Sequence, residues 1–545
     1  MKIDSHNNGI LCVIILSFLL IISSVSCGVL NGMHSDEAYI SPYDFGLKEA
    51  NSDIERFYVL EKTHRAANQK GVDVSYKGID TISIEIPVDA GSIAIGNNTD
   101  FQGVVICVRN KSKDIRLFSS VAKWKQVSIP KECIDIGWFD DIDVLSKGNY
   151  ILFVEDEKPW GDNRIGYEYA HKRRDLLLVK NGRSVNKPVM SYNNDHSTPK
   201  CYYVELSQEP FCFKNLTVNR TDDCTHKTFV LFLDGYNDVQ IENVVVNTPD
   251  SELTGDHVLR LHNCSNVSIK DTRINGTYSA QDHSGYGISM NNIWNFRAYK
   301  LFGRGKWGVF GSNNINNAVL EKCDINRFDI HCYGRDCYFR EVNFVDLGNQ
   351  FSSVYGSIVF DSCVFTDFTP IVNRSSFNAF VGYELYLNDC VFNLTPKKKY
   401  LVNMGDLSNQ VNSRPELFKK CWPNIHINNL TVNMTNGAGE LVLLASQGEV
   451  DYSEPVGYIN TIEIKGMIIN SDNNIPLKSI VVGTKDVKTE NEIECVLSDI
   501  KILGQREMTK TVTTPFNEAT LKVRLPLKGN SPRMKNVKGI KQAVH

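Results

Sequence analysis

A recurring pattern of apolar residues from Phe211 onward constrains this chain more than any other feature. Its form is apolar-x-apolar-x-x-apolar-x-apolar, first seen as Phe211-x-Phe213-x-x-Leu216-x-Val218. Side chains alternate faces along a strand, so each unit presents apolar residues to one side and cannot bury them alone. Stacked units would bury one continuous core, which predicts a solenoid of short strands. The pattern recurs at intervals of 19 to 40 residues, from Val239, Val267, Phe296, Ala318, Cys337, Ile358, Leu385, Ile425, Ile462 and Cys495.

The third apolar slot of the repeat explains part of the cysteine content. It holds Cys323, Cys363 and Cys390 in three units, where other units have Val, Leu, Met or Ile. Fifteen cysteines would suggest disulfides in an exported chain. Here cysteine replaces a small hydrophobic residue, so we predict that these three thiols are buried and stacked rather than paired.

The repeat resembles the right-handed parallel β-helix of the pectate-lyase-like superfamily, which includes pectate lyases, polygalacturonases and phage tailspikes. The resemblance covers about residues 53–505 and implies an all-β solenoid of parallel strands. Ser52 and Glu55 form a capping-box pattern before a helical run that reaches about Lys70 and ends at Gly71. Such a helix suits the open end of a solenoid. A sandwich of antiparallel hairpins is the structural alternative.

Two segments of the chain body lie outside this regular pattern. Residues from about 101 to 194 lack an evident period and are predicted to be an irregular insertion. Residues 506–545 lose the repeat and carry nine Lys or Arg against two Glu, which predicts a basic tail or an end cap.

The N-terminus predicts export. An apolar run from Ile10 to Ile22 is short for a membrane span and fits a signal peptide over residues 1–27. Small residues before Cys27 resemble a bacterial lipoprotein cleavage site, so we expect lipidation of Cys27, a tether over residues 28–52 and an outer-membrane or cell-surface location. Ordinary secretion after cleavage nearby is the alternative. The lipid would then be the only attachment to a membrane.

The charge of the chain bears on its partners. A net charge of -4 argues against a dedicated nucleic-acid binder. The stretch from Trp160 to Asp175 places Arg164 and Tyr167 among other aromatic and cationic residues. Rings stack on sugar faces and guanidinium groups bind carboxylates, so this stretch suits an acidic polysaccharide. A solvated basic loop fits the same residues.

The stretch from Arg327 to Asp336 is the strongest candidate site. In an extended strand, Phe328, Ile330 and Cys332 would face the core. The opposite side would carry a row of ionisable groups, which indicates a site, although a salt-bridged structural face produces similar rows. The members of this row are Arg327, Asp329, His331, Tyr333 and Arg335.

A second series of strands precedes several repeats and predicts neighbours for this row. If the coils stack in register, Arg260, Ser289 and His331 share one outward face. We expect further substrate-binding residues at its edge, with Trp307 either a sugar platform or core packing. The edge residues are Asp256, His257, Asp282, His283 and Lys306.

Three functions fit these residues. In a lyase that cleaves a uronic-acid glycan by β-elimination, Arg327 and Arg335 would neutralise the substrate carboxylate, His331 would remove the proton and Tyr333 would protonate the leaving oxygen. In a glycoside hydrolase, Asp329 would pair with Asp282 or Asp256. A glycan-binding or adhesive solenoid would use the same row without cleavage.

The motifs of the polygalacturonase-like branch are poorly matched, because the chain has only Asn247-Thr248-Pro249-Asp250 and Gly255-Asp256-His257 in their place. No local metal motif is present in the sequence, and a calcium requirement stays open, as does the choice between a monomer and a homotrimer.

Overall fold

The structure is a computed structural model. It describes residues 39–163, 170–189, 191–193, 197–221, 224, 226–248, 258–275, 286–304, 308–366, 371–373, 383–394, 400–403, 423–434, 440–445, 461–471, 479–483, 493–498, 501–503, 511–513 and 521–524. The chain divides into two units, residues 1–39 and residues 40–545. The account below concerns the second unit.

The second unit is a parallel β-helix, as the repeat predicts. Successive coils pair in parallel with the same register, for example Phe211 to Val239 and Val239 to Val267. The pairing defines three faces, called sheets 1, 2 and 3, and several long strands bend from one face to the next. The two halves of each repeat unit are the end of a sheet 2 strand and the start of a sheet 3 strand.

Sheet 1 carries the candidate site. Its strands are Ile93–Ala94, Ile115–Ser119, Thr228–Asp234, the first parts of Leu259–Lys270, Ile288–Tyr299, Phe310–Glu321 and Phe328–Arg340, and then Asn349–Phe351, Ile371–Asn373, Tyr400–Asn403, Glu440–Ala445, Ser479–Gly483 and Thr511–Thr513.

Sheet 2 continues these bent strands. It consists of Asp73–Ser75, Thr99–Asp100, the first parts of Phe211–Arg220 and Asn237–Asn247, the second parts of the four bent strands above, Val354–Asp361, Tyr383–Asn388, the first parts of Asn424–Met434 and Thr461–Ser471, Ile493–Ser498 and Leu521–Arg524.

Sheet 3 closes the coil. Its strands are Thr81–Glu85, Val105–Arg109, the second parts of Phe211–Arg220 and Asn237–Asn247, Arg273–Asn275, Phe302–Gly303, Asp324–Ile325, Asn343–Val345, Val364–Thr366, Val391–Leu394, the second parts of Asn424–Met434 and Thr461–Ser471, and Lys501–Leu503. A further short strand is Tyr39–Ile40.

The corners between faces explain the frequency of asparagine. Asn215, Asn243 and Asn429 each have a positive φ, a left-handed conformation that asparagine tolerates better than most residues. Their side chains also bond along the axis, since Asn243 Nδ2 donates to Asn215 Oδ1 over 3.0 Å. Parallel amide ladders run through other corners, including Asn266, Asn295 and Asn317.

The predicted capping helix is confirmed. Asp53–Lys70 begins after Ser52, whose side chain accepts from Glu55 N, and ends at Gly71 with a left-handed backbone. Phe57, Leu60 and Ala67 are buried in the same core as the coils, so the helix covers the apolar end of the solenoid. Two shorter helices are the 3-10 turn Pro42–Phe45 and the α-helix Lys131–Ile136.

The prediction for the third apolar slot is also confirmed. Cys323, Cys363 and Cys390 are buried and unpaired. Their thiols donate to backbone carbonyls, and burial raises the pKa of Cys323 to about 12. They therefore behave as small apolar core residues rather than reactive thiols.

An antiparallel sheet interrupts the coils between the sheet 1 strand Ile115–Ser119 and the strand Phe211–Arg220, which begins in sheet 2. Residues 105–119 still form coil strands, so the interruption begins later than the sequence suggests. At the other end, Thr511–Thr513 and Leu521–Arg524 still pair in parallel beyond residue 505. The strands of the antiparallel sheet are Lys125–Val127, Asn149–Asn163, Ala170–Lys180, Arg183–Ser184 and Pro199–Glu205.

Candidate functional site

The site strand Phe328–Arg340 contains a bulge at His331. Ser312 pairs with Ile330, but the next residue, Asn313, pairs with Cys332, so His331 is the extra residue. Phe328 and Ile330 are fully buried, as predicted. Beyond the bulge the alternation is reversed, and Cys332 takes the register position of Asn313, to whose Oδ1 its thiol donates over 3.4 Å. The prediction of an inward Cys332 is therefore wrong.

Four side chains converge just before the bulge. The Tyr286 hydroxyl lies 2.6 Å from Asp329 Oδ2 and 2.6 Å from His331 Nε2. Arg327 donates to the same Asp329 oxygen over 2.5 Å, and His331 Nε2 lies 3.3 Å from it. Asp329 is fully buried and the Arg327 side chain is 3% exposed, whereas the His331 side chain is 25% exposed. The histidine is thus the most solvent-accessible of the four side chains, and it lies beside the buried ion pair of Arg327 and Asp329.

Two glycines make room for the Tyr286 ring. A Cβ on Gly311 would lie 2.4 Å from Tyr286 Cδ2, and one on Gly308 would lie 3.0 Å from Tyr286 Cε1. The ring therefore crosses the next coil at a position where that coil has no side chain. Sequence reasoning did not identify Tyr286 as a site residue, because it lies 45 residues from His331. The glycines after residue 307 were the available signal.

Tyr333 and Arg335 do not continue the row. Tyr333 has a φ of +62° and occupies a corner, so the strand turns there into sheet 2. Its hydroxyl donates to the Lys172 carbonyl of the antiparallel sheet, and burial raises the pKa of Tyr333 well above its ordinary value. Arg335 pairs with Asn316 in sheet 2 and binds Asp336 over 3.1 Å. The prediction of a single row is wrong beyond His331, because the bulge and the corner end the simple alternation.

The column of Arg260 lies in register with the site. Arg260 pairs with Ser289 as predicted, and the column continues through Gly311 to Asp329 rather than to His331. A neighbouring column runs from Asp234 through His262, Asn291 and Asn313. Asn291 bonds to His262 Nε2 over 2.9 Å and accepts from Asn313 over 2.9 Å. The outer face of sheet 1 is thus a continuous polar and aromatic surface.

The antiparallel sheet contacts the β-helix next to this surface. Besides the Tyr333 contact, Asn316 Nδ2 donates to the Leu176 carbonyl over 3.3 Å. Lys172 and Arg174 belong to the basic stretch found in the sequence, and both pair with Glu155, at 3.0 and 2.8 Å. These two cations share one carboxylate within their own sheet.

Several predicted residues lie outside the described residues and stay predictions. The substrate-binding candidates among them are Arg164, Tyr167, Asp256, His257, Asp282, His283, Lys306 and Trp307, and Cys27 is the lipidation candidate. Within the described ranges, no group of three or more His, Cys, Asp or Glu side chains is arranged to hold a metal ion. In the same ranges, no helix has the length and apolar character needed to cross a membrane.

Comparisons with known proteins return structures only. No protein-family model matches the chain, and no curated protein matches its sequence. The chain is similar to the tailspike gp61 of Pseudomonas phage phi297, with 10% identity and a TM-score of 0.49 over 86% of this chain and 81% of that one. It is also similar to the tailspike gp49 of Pseudomonas phage LKA1, with 13% identity and a TM-score of 0.48 over 88% and 84%.

A third similar structure is the Gp54 tailspike of Acinetobacter baumannii bacteriophage AP22, in complex with A. baumannii capsular saccharide. Its identity is 11% and its TM-score is 0.43, over 92% of this chain and 79% of that one.

Proposed function

We propose that this protein is an exported polysaccharide lyase that cleaves an acidic, uronic-acid-containing glycan by β-elimination on the outer face of sheet 1. The observation that supports it is the Tyr286 hydroxyl held 2.6 Å from both Asp329 and His331 at the solvent-accessible end of a buried ion pair. β-Elimination needs a base for the proton beside the carboxylate and an acid for the leaving oxygen. A linked tyrosine and histidine provide both.

The proton path follows from the hydrogen bonds. With the Tyr286 hydroxyl donating to Asp329, its oxygen accepts from Nε2–H of His331, so Nδ1 is the nitrogen that removes the substrate proton. The electron pair of the broken C–H bond forms the double bond as the glycosidic oxygen leaves. Tyr286 gives its proton to that oxygen and takes the Nε2 proton in return. The net change is one proton moved from carbon to oxygen.

Arg327 and Asp329 have positioning roles in this scheme. Both side chains are buried, and they form an ion pair with each other. Breaking such a pair leaves an uncompensated buried charge, so it stays intact during catalysis. Arg327 therefore holds Asp329, and Asp329 orients Tyr286. Because Arg327 is held by Asp329, other cations must neutralise the substrate carboxylate. Lys306 is a predicted candidate for this role.

A glycoside hydrolase is the second candidate from the sequence. It requires two carboxylates that flank the bond. Asp329 is fully buried behind Tyr286 and Arg327, which disfavours direct contact with a glycan. A non-catalytic glycan binder is the third candidate, and it would use the same surface.

One experiment separates the three candidates. The protein without its first 27 residues is incubated with a panel of acidic polysaccharides, and both the unsaturated-uronate absorbance and the new reducing ends are measured. A lyase gives both signals, and His331→Ala abolishes them while binding persists. New reducing ends without absorbance would contradict the lyase and favour hydrolysis. Loss of binding in His331→Ala, without any turnover by the wild type, would favour the binder.

A further inference from the structure

Two arginines, Arg116 and Arg260, contact the ring of one buried phenylalanine, Phe232, on the outer face of sheet 1. Phe232 is 3% exposed, and the Arg116 guanidinium carbon lies 3.9 Å from its ring centroid. The Arg260 guanidinium carbon lies 5.6 Å from the same centroid and 5.6 Å from that of Phe229. The His262 ring packs edge-on against Phe232, with centroids 4.9 Å apart. The Phe232 ring thus lies within cation–π distance of two half-buried guanidinium groups.

The charges in this cluster are not balanced by ion pairs within the described chain. Other described arginines, such as Arg56, Arg304 and Arg340, lie within 4 Å of a carboxylate oxygen, but Arg116 and Arg260 do not. Asp234 is close enough to Arg116 for an electrostatic interaction, but its oxygens are not within 4 Å of the guanidinium nitrogens, and its carboxylate accepts from Asn263 Nδ2 over 2.6 Å. Burial and the charge of Arg116 lower the pKa of Arg260. Arg260 Nε is also buried without a hydrogen-bond partner.

We infer that Arg116 and Arg260 form a subsite for an anionic group of a glycan, either the carboxylate of an acidic sugar or a sulfate ester. An anion bound to both guanidinium groups beside the Phe232 ring would relieve their repulsion and satisfy their planar donors. The inference deepens the proposed function, on which its assignment to a glycan rests.

The register gives the position of this subsite relative to Tyr286 and His331. Arg260 and Asp329 occupy the same column, separated by Ser289 and Gly311. Three strand steps of about 4.8 Å place them roughly 14 Å apart along the axis. A glycan that occupies both sites therefore runs parallel to the solenoid axis, with an acidic group held away from the bond that is cleaved.

Thermal-shift titrations of the full-length protein test the subsite without requiring turnover. The probes are sodium glucuronate, sodium sulfate and, at matched ionic strength, sodium chloride with glucose. We expect glucuronate or sulfate to stabilise the wild type, and Arg260→Gln and Arg116→Gln to raise the apparent Kd about tenfold or more. Arg260→Lys should restore part of the affinity, since it keeps the charge but loses the bidentate fork.

Arg273→Gln is the matched control. Its guanidinium carbon lies 4.2 Å from the Phe302 ring centroid on sheet 3. The second arginine on that ring, Arg304 at 5.4 Å, is ion-paired with Asp324, so the ring contacts are similar but one of the two charges is balanced. Stabilisation by glucuronate alone identifies a carboxylate site, and stabilisation by sulfate alone identifies a sulfate site. Equal affinity in all variants, or no stabilisation beyond chloride with glucose, would overturn the inference. An intact subsite without lyase activity would instead refute the proposed function alone.

Discussion

The Tyr286 hydroxyl lies 2.6 Å from His331 Nε2, although 45 residues separate the two. The contact exists because the tyrosine precedes one sheet 1 strand and the histidine bulges from another strand two coils later. The coil between them contributes Gly311, which leaves space for the ring. The candidate site is therefore a property of stacked coils rather than of one motif.

Tyr286→Phe tests the acid role. The change keeps the ring over Gly311 but removes the proton donor, so we expect kcat to fall about 10²- to 10⁴-fold with little change in KM. Release of unsaturated uronate measures it. Tyr338→Phe is the matched control, because Tyr338 donates to Asp361 over 2.9 Å in sheet 2, away from the site. Equal activity in the two variants would remove Tyr286 from the mechanism.

Gly311→Ala tests the geometry of the site without changing any catalytic group. The new Cβ would lie 2.4 Å from the Tyr286 ring, so the ring must move away from His331. We expect kcat/KM to fall about 10²-fold, as small displacements of reacting groups do. Gly91→Ala is the control, since no atom lies within 4 Å of its added Cβ. Full activity in Gly311→Ala would show that the ring position is unimportant.

Substitutions of Cys363 test whether cysteine acts as an ordinary small apolar residue in the third apolar slot. Val342 holds this slot in the preceding coil and is equally buried, so Cys363→Val should change the thermal midpoint little. Cys363→Asp places a carboxylate in the core and should lower the free energy of unfolding by about 3 kcal/mol or more. Circular dichroism melts of the two variants provide the comparison. A strongly destabilised valine variant would contradict the slot interpretation.

His426 gives a prediction about pH. Hydrogen bonding to His426 lowers the pKa of Glu384, whose carboxylate lies 2.9 Å from Nε2. Hydrogen bonding to Lys465, and then to His426, lowers the pKa of Glu463. A lowered folded-state pKa means that the unfolded chain binds the proton more tightly. The resulting stability is complete above the ordinary value of 4.5 and is lost as the pH falls through the lowered values.

Thermal midpoints between pH 3 and pH 7 measure this effect. We expect the wild type to lose stability toward pH 3 more steeply than His426→Gln, in which the carboxylates regain more ordinary pKa values. The Glu384 and Glu463 side chains are partly exposed, so the difference in stability between the two proteins will be modest. Identical pH profiles would show that His426 does not hold the carboxylates in their charged form.

The fold was predictable because it depends on local, repeated information. Alternating apolar residues define each strand, and Ser52, Glu55 and Gly71 delimit the capping helix without reference to the rest of the chain. The corners were less visible, because Tyr333 adopts the left-handed conformation that asparagine adopts in neighbouring coils. Nothing in the side-chain alternation itself marks that turn.

The candidate site was predictable only in part. Arg327, Asp329 and His331 lie close together in the sequence and contact each other in the structure. The bulge at His331 could not be read from a pattern that continues to alternate through Cys332. Tyr286 required the register between coils, which depends on the lengths of the loops that connect them. The contribution of residues 249–257, 276–285 and 305–307 stays a prediction.

The asparagine ladders at the corners have a consequence for how the solenoid unfolds. Asparagine adopts the left-handed conformation with less unfolded-chain entropy than glycine would have, so each corner costs less to order. The side-chain amide hydrogen bonds from Asn266 through Asn295 to Asn317 also connect consecutive coils. An internal coil can detach only by breaking hydrogen bonds to the coils on both sides, whereas a terminal coil breaks them on one side. Unfolding should therefore start at the two ends and proceed slowly inward, giving the chain kinetic resistance to proteases.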